Sequence, residues 1–239
     1  MNFKRRYPEY SCVLPSKNKE VFFRPFLVSD EKSLLLIKEE KNTRIIFRTI
    51  LDLLESCFKN IDPKELTLQD MEYLFCNLRS KSIGETVKVN FTCPSTKENI
   101  ETKVDLSKIA IVAGIKEKEI SLDESTKIIL KEPKVYKILE MNGDFDTKHF
   151  LKASIAKIYM EENVLGYDDI SEEIVDQLLS NLTISEYEKI KLFVNGLPKI
   201  TSIIRYYTKD GMEKSTKLEG ILNFFTHAWL TIMLFLFTK

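Results

Sequence analysis

The alternation of hydrophobic and polar positions begins with a pattern typical of a β-hairpin. An apolar run over residues 10–14 ends at Pro15, whose nitrogen carries no hydrogen for a sheet hydrogen bond. Residues 16–19 are polar and suit a turn. The β-branched and aromatic residues 21–23 then predict a returning strand. We therefore expect residues 10–23 to form an antiparallel hairpin.

Apolar residues that recur every three or four positions predict three helices next. Ser29 is a good N-cap for the first helix, whose apolar stripe covers residues 34–37. The second covers about residues 44–59. Thr67 is the expected N-cap of the third, and Asp70 stands where a capping box returns a hydrogen bond to the cap.

Alternation returns at residues 85–106, which predict a second hairpin with one buried face. Cys93 lies at its turn, and a single thiol cannot make a structural zinc site, so we predict no metal there. Residues 118–131 then carry two short strand patterns, and residues 133–141 carry a short helix. We expect this strand–strand–helix stretch to add to the edge of the hairpin.

The pattern between residues 146 and 198 is mostly helical. It places helices at residues 146–159, 171–179 and 185–193, the last two opening at Ser171 and Ser185. A strand is expected after them, at residues 200–207.

The end of the chain is unusually apolar. Residues 217–220 are expected to lead into a C-terminal helix, and residues 221–237 are nearly all apolar. Three interpretations stay open: a buried helix docked on a partner or on the core, a disordered or non-native end, and a membrane tail anchor. The anchor is considered because this length lies near the bottom of the range of about 17–25 residues that spans a bilayer.

Small antiparallel hairpins with several helices predict an α+β fold in which helices pack on one side of the sheets. With 239 residues the chain is long enough for one large domain or two small ones. We expect two lobes. Residues 1–142 would form an N-terminal hairpin–helix–hairpin lobe, and residues 143–239 a mostly helical lobe that ends in the apolar tail.

Charge and cysteine content narrow the function classes. The 36 basic and 36 acidic residues leave a formal net charge of +0, which argues against a nucleic-acid-binding surface. The N-terminus lacks the apolar segment of a secretory signal. The four cysteines are widely spaced, and we expect them to be reduced thiols packed as small apolar side chains; they are Cys12, Cys57, Cys76 and Cys93.

The sequence carries no familiar catalytic motif: GxSxG, HExxH, GxGxxG and the P-loop pattern are all missing. The histidines, His149 and His227, lie at a predicted helix start and in the apolar tail. We therefore predict that the protein is not an enzyme and has no cofactor, metal or small-molecule substrate.

Several segments resemble the T4-type bacteriophage baseplate hub family. A hairpin in that family carries LPS and FRPF, which stand here at residues 14–16 and 23–26. A family helix pattern, DxExLFxxLRxKSxGE, is matched at residues 70–85, and LEGILNFF at residues 218–225 is a third matching segment. The resemblance is best over residues 12–106.

This resemblance implies a structural subunit of a contractile-tail baseplate hub, assembled in the host cytoplasm into the virion tail through contacts with other hub proteins. Two alternatives stay open. One is a hub assembly factor, chaperone-like and absent from the finished virion. The other, from a different class, is a membrane-associated protein anchored by its tail.

Aromatic side chains exceed what one hairpin and one helix need for their own burial, and they are favoured as interface anchors. Burial in the chain's own core is the alternative. The interface candidates are Phe22, Phe23, Phe26, Phe224, Phe225 and Trp229.

Two arginines are expected to order the junction between hairpin and helix. Arg24 and Arg79 would pair with carboxylates such as Glu72 or Glu85, because bidentate pairing suits a fixed joint.

Overall fold

The computed structural model describes residues 6–36, 40, 42–93, 95–141, 147–161 and 163–219. These residues form seven α-helices and twelve strands, and the strands make four small antiparallel sheets. The predicted α+β fold is confirmed.

The described chain divides into two compact units. The first contains the residues up to 112 and those from 199 onward, and the second contains residues 113–198. This division differs from the predicted boundary near residue 142. The chain leaves the first unit after Val112 and returns to it at Lys199. These two residues are paired on neighbouring strands of one sheet.

The first unit opens with the predicted hairpin, followed by the three predicted helices. The hairpin strands and a short third strand pair in the order β1-β2-β3: β1 Tyr10–Leu14, β2 Lys19–Phe23 and β3 Phe58–Lys59. The helices are α1 Val28–Leu36, α2 Thr43–Cys57 and α3 Leu68–Ser82.

The helix ends differ from the prediction by one or two residues. Helix α1 begins at Val28, just before the expected cap Ser29. Helix α2 stops at Cys57 because Phe58 and Lys59 pair with β2 as a strand.

The second hairpin is also confirmed, and a third sheet completes this unit. The hairpin consists of β4 Thr86–Thr92 and β5 Asn99–Asp105. The third sheet has the order β12-β11-β6, with β6 Ala110–Val112, β11 Lys199–Tyr207 and β12 Glu213–Glu219. Residues 217–219, expected to lead into a helix, instead continue β12.

The second unit is a four-stranded antiparallel sheet with four helices. Its sheet has the order β10-β9-β8-β7, with β7 Glu117–Ser121, β8 Thr126–Lys131, β9 Ile155–Met160 and β10 Asn163–Gly166. Its helices are α4 Val135–Glu140, α5 Thr147–Ser154, α6 Glu172–Asn181 and α7 Ile184–Asn195.

Two predictions fail in this unit. Strands β7 and β8 do not extend the earlier hairpin, because β8 pairs with β9 instead. The helix expected over residues 146–159 ends at Ser154. Ile155 and Ile158 have helical spacing, but Ala156 is an extra residue in the β9 register, so both isoleucines reach the same core from a bulged strand.

Of the two later helices, α6 has the expected cap and α7 has a different one. The Ser171 hydroxyl accepts a hydrogen bond from the Ile174 amide at the start of α6, as expected. Helix α7 is capped by Thr183 rather than Ser185, because Thr183 and Glu186 form a reciprocal capping box.

Gly114 lies where the second unit begins and touches the place where this unit ends. A Cβ atom at this position would lie 2.4 Å from both the Gly196 carbonyl oxygen and the Pro198 nitrogen. The Ile115 amide donates to the same carbonyl of Gly196 over 2.9 Å. Only glycine fits this close approach of two backbones.

We predict that Gly114→Ala destabilises the second unit by about 1–3 kcal/mol, because the added methyl group overpacks rigid backbone. Urea unfolding followed by circular dichroism measures this. Gly166→Ala is the matched control, since its Cβ would meet nothing closer than 3.4 Å. We expect the control to change stability by less than about 0.5 kcal/mol. Equal effects of the two substitutions would contradict the steric argument.

Candidate functional site: the hairpin joint and its outer face

Phe23 lies in the core of the first unit. Its side chain is 1% exposed, and its ring stacks on Phe58 with 4.7 Å between centroids. Tyr10 packs on the same ring at 5.7 Å. We therefore assign Phe23 to the core, which is the alternative that the sequence left open. Phe22 and Phe26 stay candidates for an interface.

Phe22 is on the opposite side of the hairpin and is half-buried. It pairs with Ser11 on one side and Lys59 on the other. Val13 lies two positions after Ser11, so it shares this side, and it is 46% exposed. We call Val13 and Phe22 the hairpin face. Val13 was missed as a candidate, although its alternation with the buried Leu14 marks it as outward.

Phe26 leaves the hairpin and packs on α3. Its ring centroid is 6.4 Å from that of Phe75, which is buried. Its amide donates to the Ser82 hydroxyl oxygen over 2.9 Å, and that hydroxyl donates to the Leu78 carbonyl over 2.6 Å. The chain after the hairpin is thus held along the helix.

Asp70 ties the hairpin turn to the start of α3. One carboxylate oxygen accepts the Ser16 amide at 2.9 Å, and the other accepts the Thr67 amide at 3.1 Å. The Thr67 hydroxyl accepts the Asp70 amide in return, so the predicted capping box is confirmed. The side chain of Asp70 is fully buried. Sequence spacing gave no signal for the contact with Ser16, which lies 54 positions away.

Arg24 fixes the segment between the hairpin and α1. Its guanidinium donates to Asp30 over 2.6 Å and to the Ser56 hydroxyl over 3.0 Å. Its carboxylate partner is therefore Asp30 rather than the expected Glu72 or Glu85. Burial acts to raise the pKa of Asp30, but hydrogen bonds from Arg24 and neighbouring groups outweigh it and hold that pKa below its ordinary value.

Arg79 closes the C-terminal end of α3. It is buried, and its guanidinium donates to the Gly84 carbonyl. Burial lowers the pKa of Arg79. Gly84 has a positive φ of 144°, which fits the predicted helix stop. Glu85, an expected partner of Arg79, pairs with Lys81 instead at 2.8 Å.

These contacts meet between the hairpin, α1 and α3, and we call the set the hairpin joint. It consists of Ser16, Arg24, Phe26, Asp70, Phe75 and Ser82. All of them lie in the segments that carry LPS, FRPF and the α3 pattern. The hydrogen bonds that these residues make all lie within the chain, so the joint stabilises a frame.

A second long-range contact attaches the turn of the β4–β5 hairpin to β11. The Cys93 sulfur is buried and lies 3.1 Å from the Tyr206 hydroxyl and 3.3 Å from the Ser95 hydroxyl. The Tyr206 ring meets Phe91 edge-on, with 4.9 Å between centroids. The Lys214 ammonium donates to the Ser95 hydroxyl over 2.7 Å.

The environment of Cys93 differs from that of the other thiols. Hydrogen bonds with the Ser95 and Tyr206 hydroxyls lower the pKa of Cys93 to about 6. Burial instead raises the pKa of Cys57 to about 11. All four cysteines are free. Among the described residues, no group of three or more His, Cys, Asp or Glu side chains is placed to hold a metal ion.

The remaining candidates fall into two groups. His149 is buried, with its Nε2 atom 2.7 Å from the Ile138 carbonyl oxygen, so it packs inside the second unit. The other four lie outside the described residues: His227, Phe224, Phe225 and Trp229. Within the part of the chain that the structure describes, no helix is both long and apolar enough to cross a membrane.

Comparison with known proteins identifies a matching family. The model of a family described as "T4 bacteriophage base plate protein" matches residues 7–226. The match covers most of the chain and includes residues of both units. No curated protein and no solved structure matches the chain.

We predict that Asp70→Ala destabilises the protein by about 2–3 kcal/mol, because it leaves the half-buried amide of Ser16 and the buried amide of Thr67 without an acceptor. Asp62→Ala is the control. Asp62 caps an exposed turn through a single bond to the Lys64 amide, so its loss should cost about 0.5–1 kcal/mol. Urea unfolding of both variants compares these costs, and equal losses would contradict the role assigned to Asp70.

We predict that Cys93 makes stability depend on pH between about 6 and 9. Its pKa falls from an ordinary 9.0 to about 6 in the folded protein. Stabilisation by the thiolate is therefore fully present above about pH 9 and is lost as the pH falls towards 6. Urea unfolding of the reduced protein across this range should show stability rising with pH.

Three variants separate this effect from other titrating groups. Cys93→Ser should flatten the rise, and Tyr206→Phe should reduce it while keeping the aromatic contact with Phe91. Cys12→Ser is the control: burial raises the pKa of this thiol to about 12, so it stays protonated in both states below about pH 8, and its loss should leave the rise between pH 6 and 8 unchanged. If stability rises with pH as steeply in Cys93→Ser as in the parent protein, Cys93 is not the group responsible.

Proposed function

Since the chain belongs to the family of T4 bacteriophage base plate proteins, we propose that it is a structural subunit of the baseplate hub in a contractile phage tail. Family membership supports a location in the tail baseplate of the virion and contacts with other baseplate proteins. The match over residues 7–226 is the observation that carries the proposal.

The hub assignment is supported by the residues that resemble hub proteins. The LPS and FRPF segments and the α3 pattern contribute the residues of the hairpin joint. These residues are used to hold the hairpin on α3. A hairpin held in one place presents the hairpin face to a partner in one orientation, and an assembly subunit needs such a fixed orientation.

The protein acts through binding and performs no covalent chemistry. The hydrogen bonds of the hairpin joint go to groups of the same chain, and His149 is buried in the second unit. The hairpin face offers apolar surface instead, through Val13 and Phe22. Removing such surface from water stabilises a contact by about 25 cal/mol per Å².

Quantitative mass spectrometry of purified tails and finished virions tests this proposal. We expect the protein in both, at one fixed ratio to the other hub proteins, because a structural subunit stays in the particle. Presence in assembly intermediates and absence from virions would instead indicate an assembly factor. Absence from every tail species would contradict both roles.

The same measurement on two variants tests the hairpin face. Val13→Lys should lower incorporation into tails, because it places a charge in the contact. Ile184→Lys is the matched control, since Ile184 is an exposed apolar residue of the second unit. Unchanged melting temperatures would show that both variants fold. If the two variants are incorporated equally, the hairpin face is not part of the interface.

A further inference from the structure

Strand β1 lies at the edge of its sheet. It is at one end of the order β1-β2-β3 and pairs with β2 over all five of its residues, and no other described strand joins it. Its register with β2 is continuous, so no bulge turns the edge away from solvent. Within the described part of the chain, one row of amides and carbonyls along β1 therefore has no partner strand.

Side chains on the inner side of the hairpin become more exposed from β2 to β1. Val21 and Phe23 are 0% and 1% exposed, whereas Cys12 and Tyr10, which lie opposite them on β1, are only half-buried. On the outer side of β1, Ser11 is exposed. Solvent therefore reaches β1 from both sides of the sheet.

Strand β1 also lacks the protection that other edges of this protein have. Proteins usually block a free edge with charged side chains, with proline or with a bulge. Strands β4, β5, β7 and β12 each carry charged residues. Among the described edge strands of five or more residues, only β1 has none. An uncharged edge of this length suits the addition of a strand from another chain.

The prolines around β1 define how a second copy would pair with it. Pro8 and Pro15 lie just outside the strand, and proline cannot donate to a sheet hydrogen bond. An antiparallel pair of β1 strands centred on Cys12 keeps both prolines outside the paired positions. A shift of two residues, the smallest that keeps the buried sides together, places a proline opposite the strand. In the centred register Tyr10 lies opposite Leu14, an aromatic–apolar pair that forms twice.

Charge also favours a second copy as the occupant of this edge. Since β1 has no charged residue, the centred pair brings no like charges together. The formal net charge of the chain is +0, so two copies do not repel each other at long range. Pairs related by a twofold axis are the commonest homo-oligomers, and an antiparallel pair of identical strands has this symmetry.

We propose that β1 binds the β1 strand of a second copy of this chain, in an antiparallel pair centred on Cys12. The two hairpins then form one continuous sheet across the dimer. Strand pairing uses main-chain groups at the edge, so the side chains of the hairpin face stay available to another partner. This inference does not rest on the hub role, because it concerns two copies of the same chain.

Sedimentation velocity of the reduced, full-length protein over a range of concentrations tests the pairing. We expect the fraction of dimer to rise with concentration. Ser11→Lys should weaken dimerisation about fivefold or more, because the two lysines lie diagonally across the strand pair, where like charges repel. Ser121→Lys is the matched control, since Ser121 is an exposed serine on the edge strand β7, and it should leave dimerisation unchanged. Circular dichroism confirms that each variant folds.

Oxidative cross-linking tests the register. The centred pair places the two Cys12 Cα atoms about 4.5–5.5 Å apart. This separation lies within the range of about 4.4–6.8 Å that a disulfide spans. Copper phenanthroline should therefore join two chains. Cys12→Ser should abolish this cross-link, and Cys57→Ser should keep it, because Cys57 is buried in the core.

A protein that stays monomeric at every concentration would overturn the proposal. Dimerisation that Ser11→Lys leaves unchanged would do the same, since the contact would then use another surface. A dimer that forms no cross-link, or a cross-link that persists in Cys12→Ser, would overturn the pairing centred on Cys12.

Discussion

The buried carboxylate of Asp70 is the contact on which the first unit depends. A carboxylate removed from water costs several kcal/mol unless donors replace its hydration. The amides of Ser16 and Thr67 supply those donors from two different elements, and the N-terminal end of α3 adds a favourable dipole. The hairpin turn and the helix start must therefore be in place together. This requirement couples the folding of residues 54 positions apart, and the contacts of Phe26 with Phe75 and Ser82 extend the coupling along α3.

Local signals predicted much of the fold, and contacts between distant residues account for most of the rest. Both early hairpins and the capping box at Thr67 follow from neighbouring residues. The contact of Cys93 with Tyr206 joins residues 113 positions apart, and spacing carries no information about it. Strand β9 was mistaken for a helix because the bulge at Ala156 gives a strand the spacing of a helix. Of the interface candidates, Phe23 is buried because side chains alternate between the two sides of β2. Val21, two positions earlier, lies on the same side and is also buried.

The second unit is inserted in the chain between two strands of the first unit that pair with each other. Val112 and Lys199 are paired within the third sheet, and Ile115 and Gly196 are joined by a hydrogen bond. The two ends of the inserted segment therefore lie side by side, which lets strands β6 and β11 pair although residues 113–198 separate them. A sequence pattern read in order treats the segment after residue 142 as a new lobe. Only the return of the chain reveals that its last strands complete the first unit.

The size of the exposed apolar surface sets a limit on how this subunit is held in a baseplate. Fully burying one Val or Phe side chain contributes about 1.5–3 kcal/mol, and Phe22 is already half-buried in the free chain. In the proposed contact the hairpin face would therefore supply only a few kcal/mol. A micromolar contact needs about 8 kcal/mol, after the loss of translational and rotational freedom. Stable incorporation then requires further surfaces that act together with this one. Weak contacts on one subunit raise each other's effective concentration, so the proposed contact would need only a small apolar face if the rigid hairpin joint holds that face in a fixed orientation.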